Sequence, residues 1–344
     1  MSRARSWKIT RILQQLLLGV LLFCFASACS GNPFSSRFSP SGISSSQEPS
    51  LSPECRMIEH KLGQTCVPLN PQRVIVLGYL ENVLALGIKP VGNDLVNNIY
   101  PHMEDKIEGI ENLGDFTSPS LEKILTLKPD LILGDNPVLE AKYEVFSQVA
   151  PTALAPFSDG RKWKENFMWS AQVLGRTEKA QAIMANYYAR LEEFKNQMGD
   201  RLDQIKVSVV RIYPDVIAVY PKDSFCGSVL EDAGLSRPPS QNKVGGQQRL
   251  SKERMRDLDG DVMFLWTYGH NPEISQQANT TLKKLKADPL WSQLKVVQQG
   301  KVYEVPGYWI GDGPLAANAM IDDLFKYLIE TVSSNLYKYL IHAP

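Results

Sequence analysis

One pattern in this chain occurs twice. Ser120-Leu121-Glu122 opens a short helical stretch that closes at Lys128-Pro129-Asp130 and runs into the apolar segment Leu131-Ile132-Leu133-Gly134. Ser251-Lys252-Glu253 opens another, which closes at Asp259-Gly260-Asp261 before Val262-Met263-Phe264-Leu265. A helix-then-strand unit repeated about 130 residues later predicts two similar lobes. Two lobes predict a cleft, and clefts bind ligands.

The segments around the repeat fit that plan. Residues 73–78 form a continuous apolar run after Pro71, the pattern of a strand buried on both faces. Residues 80–86 have helical spacing up to Gly87, and 88–92 read as a second short strand. Leu121, Ile124 and Leu125 share one helical face, Pro129 stops that helix, and 131–133 form a third strand. A further strand begins within 150–153, at the lobe edge. In the second half, 206–212, 262–266 and 302–305 read as strands. Residues 228–235 read as a short helix around Gly234, and 316–329 as a closing helix. Between the halves, 163–174 is helical up to Gly175, and 178–198 runs on without Pro or Gly. At 1.5 Å per residue that second stretch is about 30 Å long, a strut between lobes. The expected fold is α/β: two parallel-sheet lobes joined by one long helix, with the ligand cleft between them. The expected boundaries are 54–175 for the first lobe, 176–203 for the connecting helix and 204–344 for the second lobe.

The ends bear on location. Arg3, Arg5, Lys8 and Arg11 precede an uncharged apolar stretch at 16–28, the layout of a signal peptide (1–28) and too short for an ordinary spanning helix. Ala26-Ser27-Ala28-Cys29 reads either as a lipidation site at Cys29 or as plain cleavage after Ala-x-Ala. The Ser/Pro-rich segment 29–53 has tether composition and favours the anchored reading. Cys55 and Cys66 flank a short polar segment in an oxidising compartment, so a disulfide is expected, with Cys226 as a buried apolar residue. The whole chain carries 37 basic and 37 acidic residues; without the four basic residues of 1–28 it has 33 and 37, a net charge of −4. That excludes a nucleic-acid footprint. The four His, at 60, 102, 270 and 342, lack metal-site spacing, and no protein-bound metal or cofactor is expected.

Together, the run from Arg73, the segments 84–92 and 120–134, and in the second half 229–235, 288–291 and 296–305, resemble the helical-backbone solute-binding proteins of ABC importers. The resemblance covers roughly 70–340. It implies a monomeric, non-enzymatic protein that carries a ferric siderophore, citrate-hydroxamate or hydroxamate in type, to a membrane permease; cobalamin or haem is the alternative ligand. The Cys55–Cys66 segment resembles an extension of the iron-siderophore branch. The resemblance also implies one Glu per lobe that docks on the permease: Glu122 in the first, and Glu253, with Glu231 as a rival, in the second. Helix capping accounts for the same Ser-x-Glu pattern in any protein.

Ligands of parallel α/β lobes meet the loops after the carboxyl ends of strands. Those loops offer Tyr79, Asn136, Arg211, Tyr213, Trp266, Tyr268, Tyr308 and Trp309, with Arg249 before the second repeat. Aromatic rings with polar tips suit a bulky chelate, and an Arg fork suits its carboxylate or hydroxamate oxygens. Lys243, Tyr220 and Phe225 are weaker candidates, and Trp163 reads as core. Enzymatic motifs are absent: the chain has no Gly-x-Ser-x-Gly elbow, phosphate loop or dinucleotide fingerprint.

Overall fold

The apolar runs become the centres of two five-stranded sheets in a computed structural model that describes residues 55–94, 101–157, 160–267, 269 and 272–330. The signal and tether segments, Cys29, Tyr268 and His270 lie outside the described residues. The described elements belong to one compact unit, Ser52–Pro344.

The chain opens with an antiparallel hairpin of β1 (Cys55–His60) and β2 (Gly63–Pro68), closed by the Cys55–Cys66 disulfide with a Cα–Cα separation of 5.5 Å. The first sheet comprises β3 (Val74–Leu77), β4 (Gly92–Asn93), β5 (Glu111–Asn112), β8 (Leu131–Gly134) and β9 (Thr152–Leu154). A two-residue ladder of β6 (Gly114–Asp115) and β7 (Ser118–Pro119) stands apart from it. The order is β5-β4-β3-β8-β9, all parallel. The hairpin covers the β9 edge: Lys61 N donates to Leu154 O, and Thr65 Oγ1 to Thr152 O.

The second sheet comprises β10 (Val207–Tyr213), β11 (Val216–Val219), β12 (Gln248–Leu250), β13 (Val262–Thr267) and β14 (Val302–Glu304), in the order β12-β11-β10-β13-β14. β10, β13 and β14 are parallel, like the first sheet, whereas β11 and β12 add antiparallel. The reason is local. Pro214-Asp215, with Asp215 at φ +55°, turns the chain straight back, and a two-residue turn permits only an antiparallel partner.

The helices around these sheets include α1 (Leu80–Ala85), α2 (Leu121–Thr126), α3 (Trp163–Val173), α4 (Thr177–Met198), α5 (Phe225–Asp232), α6 (Pro272–Lys286) and α7 (Pro314–Leu324). The strut is α4. It buries Ala180, Met184, Tyr187, Leu191, Phe194 and Met198 at three- and four-residue spacing. Alternation in the sheets decides what it meets. Val74, Val76, Leu131 and Leu133 of the first sheet, and Val207, Val209, Val262 and Phe264 of the second, share one apolar cluster with those helix residues. The alternate residues Ile75, Leu77 and Ile132, and Val210, Ile212, Met263 and Leu265, fill two separate outer clusters.

Both copies of the repeat end in the same device. Asp130 accepts from Gln72 N at 2.7 Å and Arg73 N at 2.9 Å, and Asp261 accepts from Lys206 N at 3.0 Å. Each carboxylate pins the start of its lobe's central strand. The helical parts differ. The first copy is α2, capped by Ser120; the second is a 3₁₀ turn, Lys252–Leu258, whose buried Met255 and Leu258 stand three residues apart.

Four local expectations shift. The second strand starts at Gly92, because Pro90 offers no donor to a ladder. Leu125 is 53% exposed, since so short a surface helix buries only Ile124. α5 starts at Phe225, because Ser224 caps it through Gly227 N at 3.1 Å; Gly234, at φ +75°, follows its end rather than sitting inside it. The Cys55–Cys66 segment is a hairpin rather than a loop.

Closing this short loop contributes at most about 3 kcal/mol. Reduction of the disulfide is expected to lower the melting temperature by about 5–10 °C in calorimetry. An unchanged melting curve would show that the hairpin's hydrogen bonds alone hold it.

Candidate functional site

The strand-end loops of the first lobe are built around buried acids. Gly78, at φ +89°, follows β3; a Cβ there would stand 1.9 Å from Asp135 Oδ1, so only glycine lets the loops close. Gly78 N donates to Asp94 Oδ1 at 2.9 Å. Asn136 Nδ2 donates to Asp94 Oδ2 and to Phe116 O, both at 2.5 Å, while its Oδ1 accepts from Val138 N at 2.7 Å. Tyr79 is buried too: its hydroxyl donates to Phe157 O at 2.8 Å and accepts from Asn166 Nδ2 at 2.6 Å. Tyr79 and Asn136 therefore spend their polar atoms on the lobe itself. Burial pushes the Asp135 carboxyl up to about 7, with Asp94 adding to the rise against a hydrogen bond from Tyr79.

A further acid, Glu81, joins the lobes. Glu81, buried on α1, accepts from Ala316 N at 2.6 Å, in the first turn of α7. A carboxylate at a helix N-terminus meets unpaired N–H groups and the positive end of the dipole. His102 Nε2 lies 3.6 Å from Glu81 Oε2. Asp312 stands just before α7, where burial, then Glu81 and Asp135, raise its carboxyl well above the usual range.

The second lobe presents a different surface. Sheet register places Arg249, Ala218, Arg211 and Trp266 side by side across β12, β11, β10 and β13, on one face. Arg211 is 8% exposed, donates from Nη1 to Tyr220 Oη at 3.0 Å and lies 4.7 Å from the Tyr213 ring centre. Tyr220 stacks on Trp266 at 5.6 Å, and Tyr213 Oη donates to Gln247 Oε1 at 3.2 Å. Burial raises the Tyr220 hydroxyl, with Arg211 opposing, so it stays protonated.

A cavity of about 310 Å³ adjoins this wall, lined by Arg161, Tyr220, Phe225, Cys226, Gln247 and Trp309 among others. Arg161 pairs with Asp223 at 2.9 Å, and Asp223 also accepts from Gly245 N, which fixes the Gly245-Gly246 loop over the cavity. Trp309 stacks on Phe264 at 4.2 Å. Its Nε1 and the Tyr308 hydroxyl each donate to Asp323 Oδ2 at 2.8 Å. Asp323 thus ties both aromatics to α7, although burial outweighs these bonds and raises its carboxyl. Among the described residues no group of three His, Cys, Asp or Glu side chains could hold a metal ion.

The structure brings Arg211, Tyr213, Trp266 and Arg249 onto one wall, with Trp309 at the cavity beside it. Tyr79, Asn136 and Tyr308 are engaged in bonds within the protein. Arg161, Gln247 and Cys226 line the cavity and were not among the sequence-based candidates. A pair of glycines next to Gln247 was the one available signal. Arg161 sits in a polar turn with no periodicity to expose it.

Two α/β lobes on a helical strut with a lined cavity define a solute-binding architecture. The chain belongs to the periplasmic binding protein family, whose pattern matches residues 74–308. It is 32% identical, over 93% of its length and 98% of the relative's, to a probable siderophore-binding lipoprotein of Bacillus subtilis. It is 29% identical, over 74% of its length and 86% of the relative's, to an achromobactin-binding periplasmic protein of Dickeya dadantii. The triscatecholate siderophore-binding protein of Bacillus subtilis, solved with ferri-bacillibactin, superposes with a TM-score of 0.67 at 26% identity, covering 79% of this chain and 98% of that one. Among the described residues no helix is long and apolar enough to cross a membrane.

A carboxyl raised by folding binds protons more tightly in the native state, so its favourable contribution is complete below about pH 4 and lost as pH rises through about 7. Asp135→Asn removes that loss. Its melting temperature is expected to match the wild type near pH 4 and to exceed it by a few degrees at pH 8. Parallel curves from pH 4 to 8 would mean that Asp135 ionises freely.

Proposed function

We propose that this chain captures a ferric siderophore and delivers it to an ABC permease, without catalysis, as a monomer tethered through a lipid on Cys29. The observation that carries this reading is the second-lobe wall: Arg211 among Tyr213, Tyr220 and Trp266, beside a cavity. The siderophore already fills the iron's coordination sphere, so the protein needs contact area and oxygen-directed donors rather than metal ligands. The siderophore-binding names of the relatives support iron over cobalamin or haem. A citrate-hydroxamate or hydroxamate chelate is the favoured cargo, because the guanidinium fork matches its oxygen pairs.

Docking on the permease falls to Glu122 and Glu253, both exposed, one in each copy of the repeat. Glu231 is also exposed and remains the rival in the second lobe.

The test is quenching of intrinsic tryptophan fluorescence by a panel of ferric chelates. Saturable, submicromolar quenching by at least one is expected, and Arg211→Ala should weaken it by about tenfold or more, the scale of a charged hydrogen bond. Quenching by none of the panel, but by cobalamin or haem, would replace the reading. For docking, Glu122→Arg and Glu253→Arg should each abolish iron uptake in cells while leaving quenching intact. Loss of quenching would return both residues to a capping role.

A further inference from the structure

Behind the cavity wall lies a cation that the lobe does not neutralise. Arg237 is 6% exposed. Its Nη2 donates to Tyr220 O at 2.8 Å and to Gln241 Oε1. Its Nε and Nη1 are buried without an oxygen acceptor, the neutral Cys226 thiol interacts with the guanidinium, and among the described residues Arg237 makes no ion pair. Glu231 and Lys222 share with Arg237 the lining of a small cavity of about 130 Å³, and Glu231 forms no ion pair with it. The titratable group that acts on the guanidinium is the Cys226 thiol, which its own burial keeps protonated. Desolvation without a counter-charge pulls Arg237 down to about 10, so it is still a cation at neutral pH.

A buried, unpaired charge is costly unless something offsets it. What stands in front of this one is the ligand cavity: Tyr220, whose carbonyl Arg237 holds, and Cys226 both line it. Arg161, by contrast, already has Asp223 as its counter-ion. We infer that Arg237 is a specificity determinant that never touches the ligand: its uncompensated charge favours ferric chelates of net negative charge over neutral or cationic ones. This rests on the siderophore reading of the cavity and narrows it to an anionic class. Across a protein interior the attraction persists at roughly 10 Å, where a unit pair in an effective dielectric of about 20 still shifts an equilibrium about tenfold.

The experiment supplies the missing counter-ion in place. Gln241 accepts from Arg237 and from Val209 N at 2.9 Å, and donates to Ser208 Oγ at 2.7 Å. Gln241→Glu keeps both acceptor roles, and the Ser208 hydroxyl can turn to donate, so the fold should hold with an unchanged or higher melting temperature. Dissociation constants are measured by fluorescence for ferric citrate, a ferric tricatecholate and a ferric trihydroxamate bearing a free amine. Gln241→Glu is expected to weaken anionic chelates by about three- to tenfold per unit of ligand charge, and to leave the cationic one unchanged or tighter. Arg237→Met should show the same ordering, and Arg237→Lys should restore the wild-type one. Equal losses for every chelate in both variants would make Arg237 a structural clamp on Tyr220 and overturn the proposal. A wild type that binds no ferric chelate would overturn the siderophore reading itself, a distinct result.

Discussion

Both lobes depend on one shared apolar core. In each sheet, alternate strand residues point inward to a cluster that also holds the buried stripe of the long helix. The two sheets are therefore packed against the same side chains rather than merely tethered by a linker. Interiors at crystal-like density resist sliding. The cleft inherits that rigidity. Tyr187 Oη and Lys164 both bond Asp232, Trp163 Nε1 bonds Ser228, and Arg190 bonds Asn318, so α3 and α4 are fastened to the second lobe by polar contacts as well. Glu81 does the reverse, reaching from the first lobe to cap α7.

With the lobes fixed, their chemistry divides. Strand-end loops of the first lobe turn their polar atoms inward: Asp94 holds Gly78 N, Asn136 holds Asp94 and Val138 N, and Tyr79 holds Phe157 O. Burial then pushes Asp94 and Asp135 toward the neutral form. The second lobe lines its cavity with Tyr220, Phe225 and Trp309, beside the wall that holds Arg211. The first lobe thus commits its acids to its own loops, while the Arg211 and aromatic wall lies in the second.

The strands were legible because burial on both faces removes polar residues from the run: Val74–Leu77, Leu131–Gly134 and Val262–Thr267 lie within a residue or two of where the sequence puts them. Boundaries failed where one cap decides them, as at Ser224, since Ser228 four residues later reads the same in sequence. Arg211 was legible as a charge at the end of an apolar strand. Tyr79 and Asn136 also sit at strand ends, yet bond inward, because a position at the carboxyl end locates a residue without saying which way its side chain turns. Arg161, Gln247 and Arg237 lie in loops, where no period reports burial. Nothing in the chain order announces that a guanidinium 17 residues past Tyr220 holds that residue's carbonyl.

The repeat itself separates into a part that folding needs and a part that it does not. Asp130 and Asp261 make the same clamp on the start of the central strand, which sets the register between helix and sheet in each lobe. The serine ends have diverged. Ser120 Oγ accepts from Lys123 N at 3.3 Å and caps α2 by itself, and the Glu122 carboxylate has no partner among the described residues. Ser251 makes no bond from its side chain to the helix backbone; its hydroxyl bonds Glu253 and lowers that carboxyl. The serine hydroxyl engages Glu253 directly, whereas Glu122 meets only the favourable end of the α2 dipole. A carboxylate that stays exposed without a structural partner is available to a second protein's cations, so the first lobe carries the stronger physical case for docking.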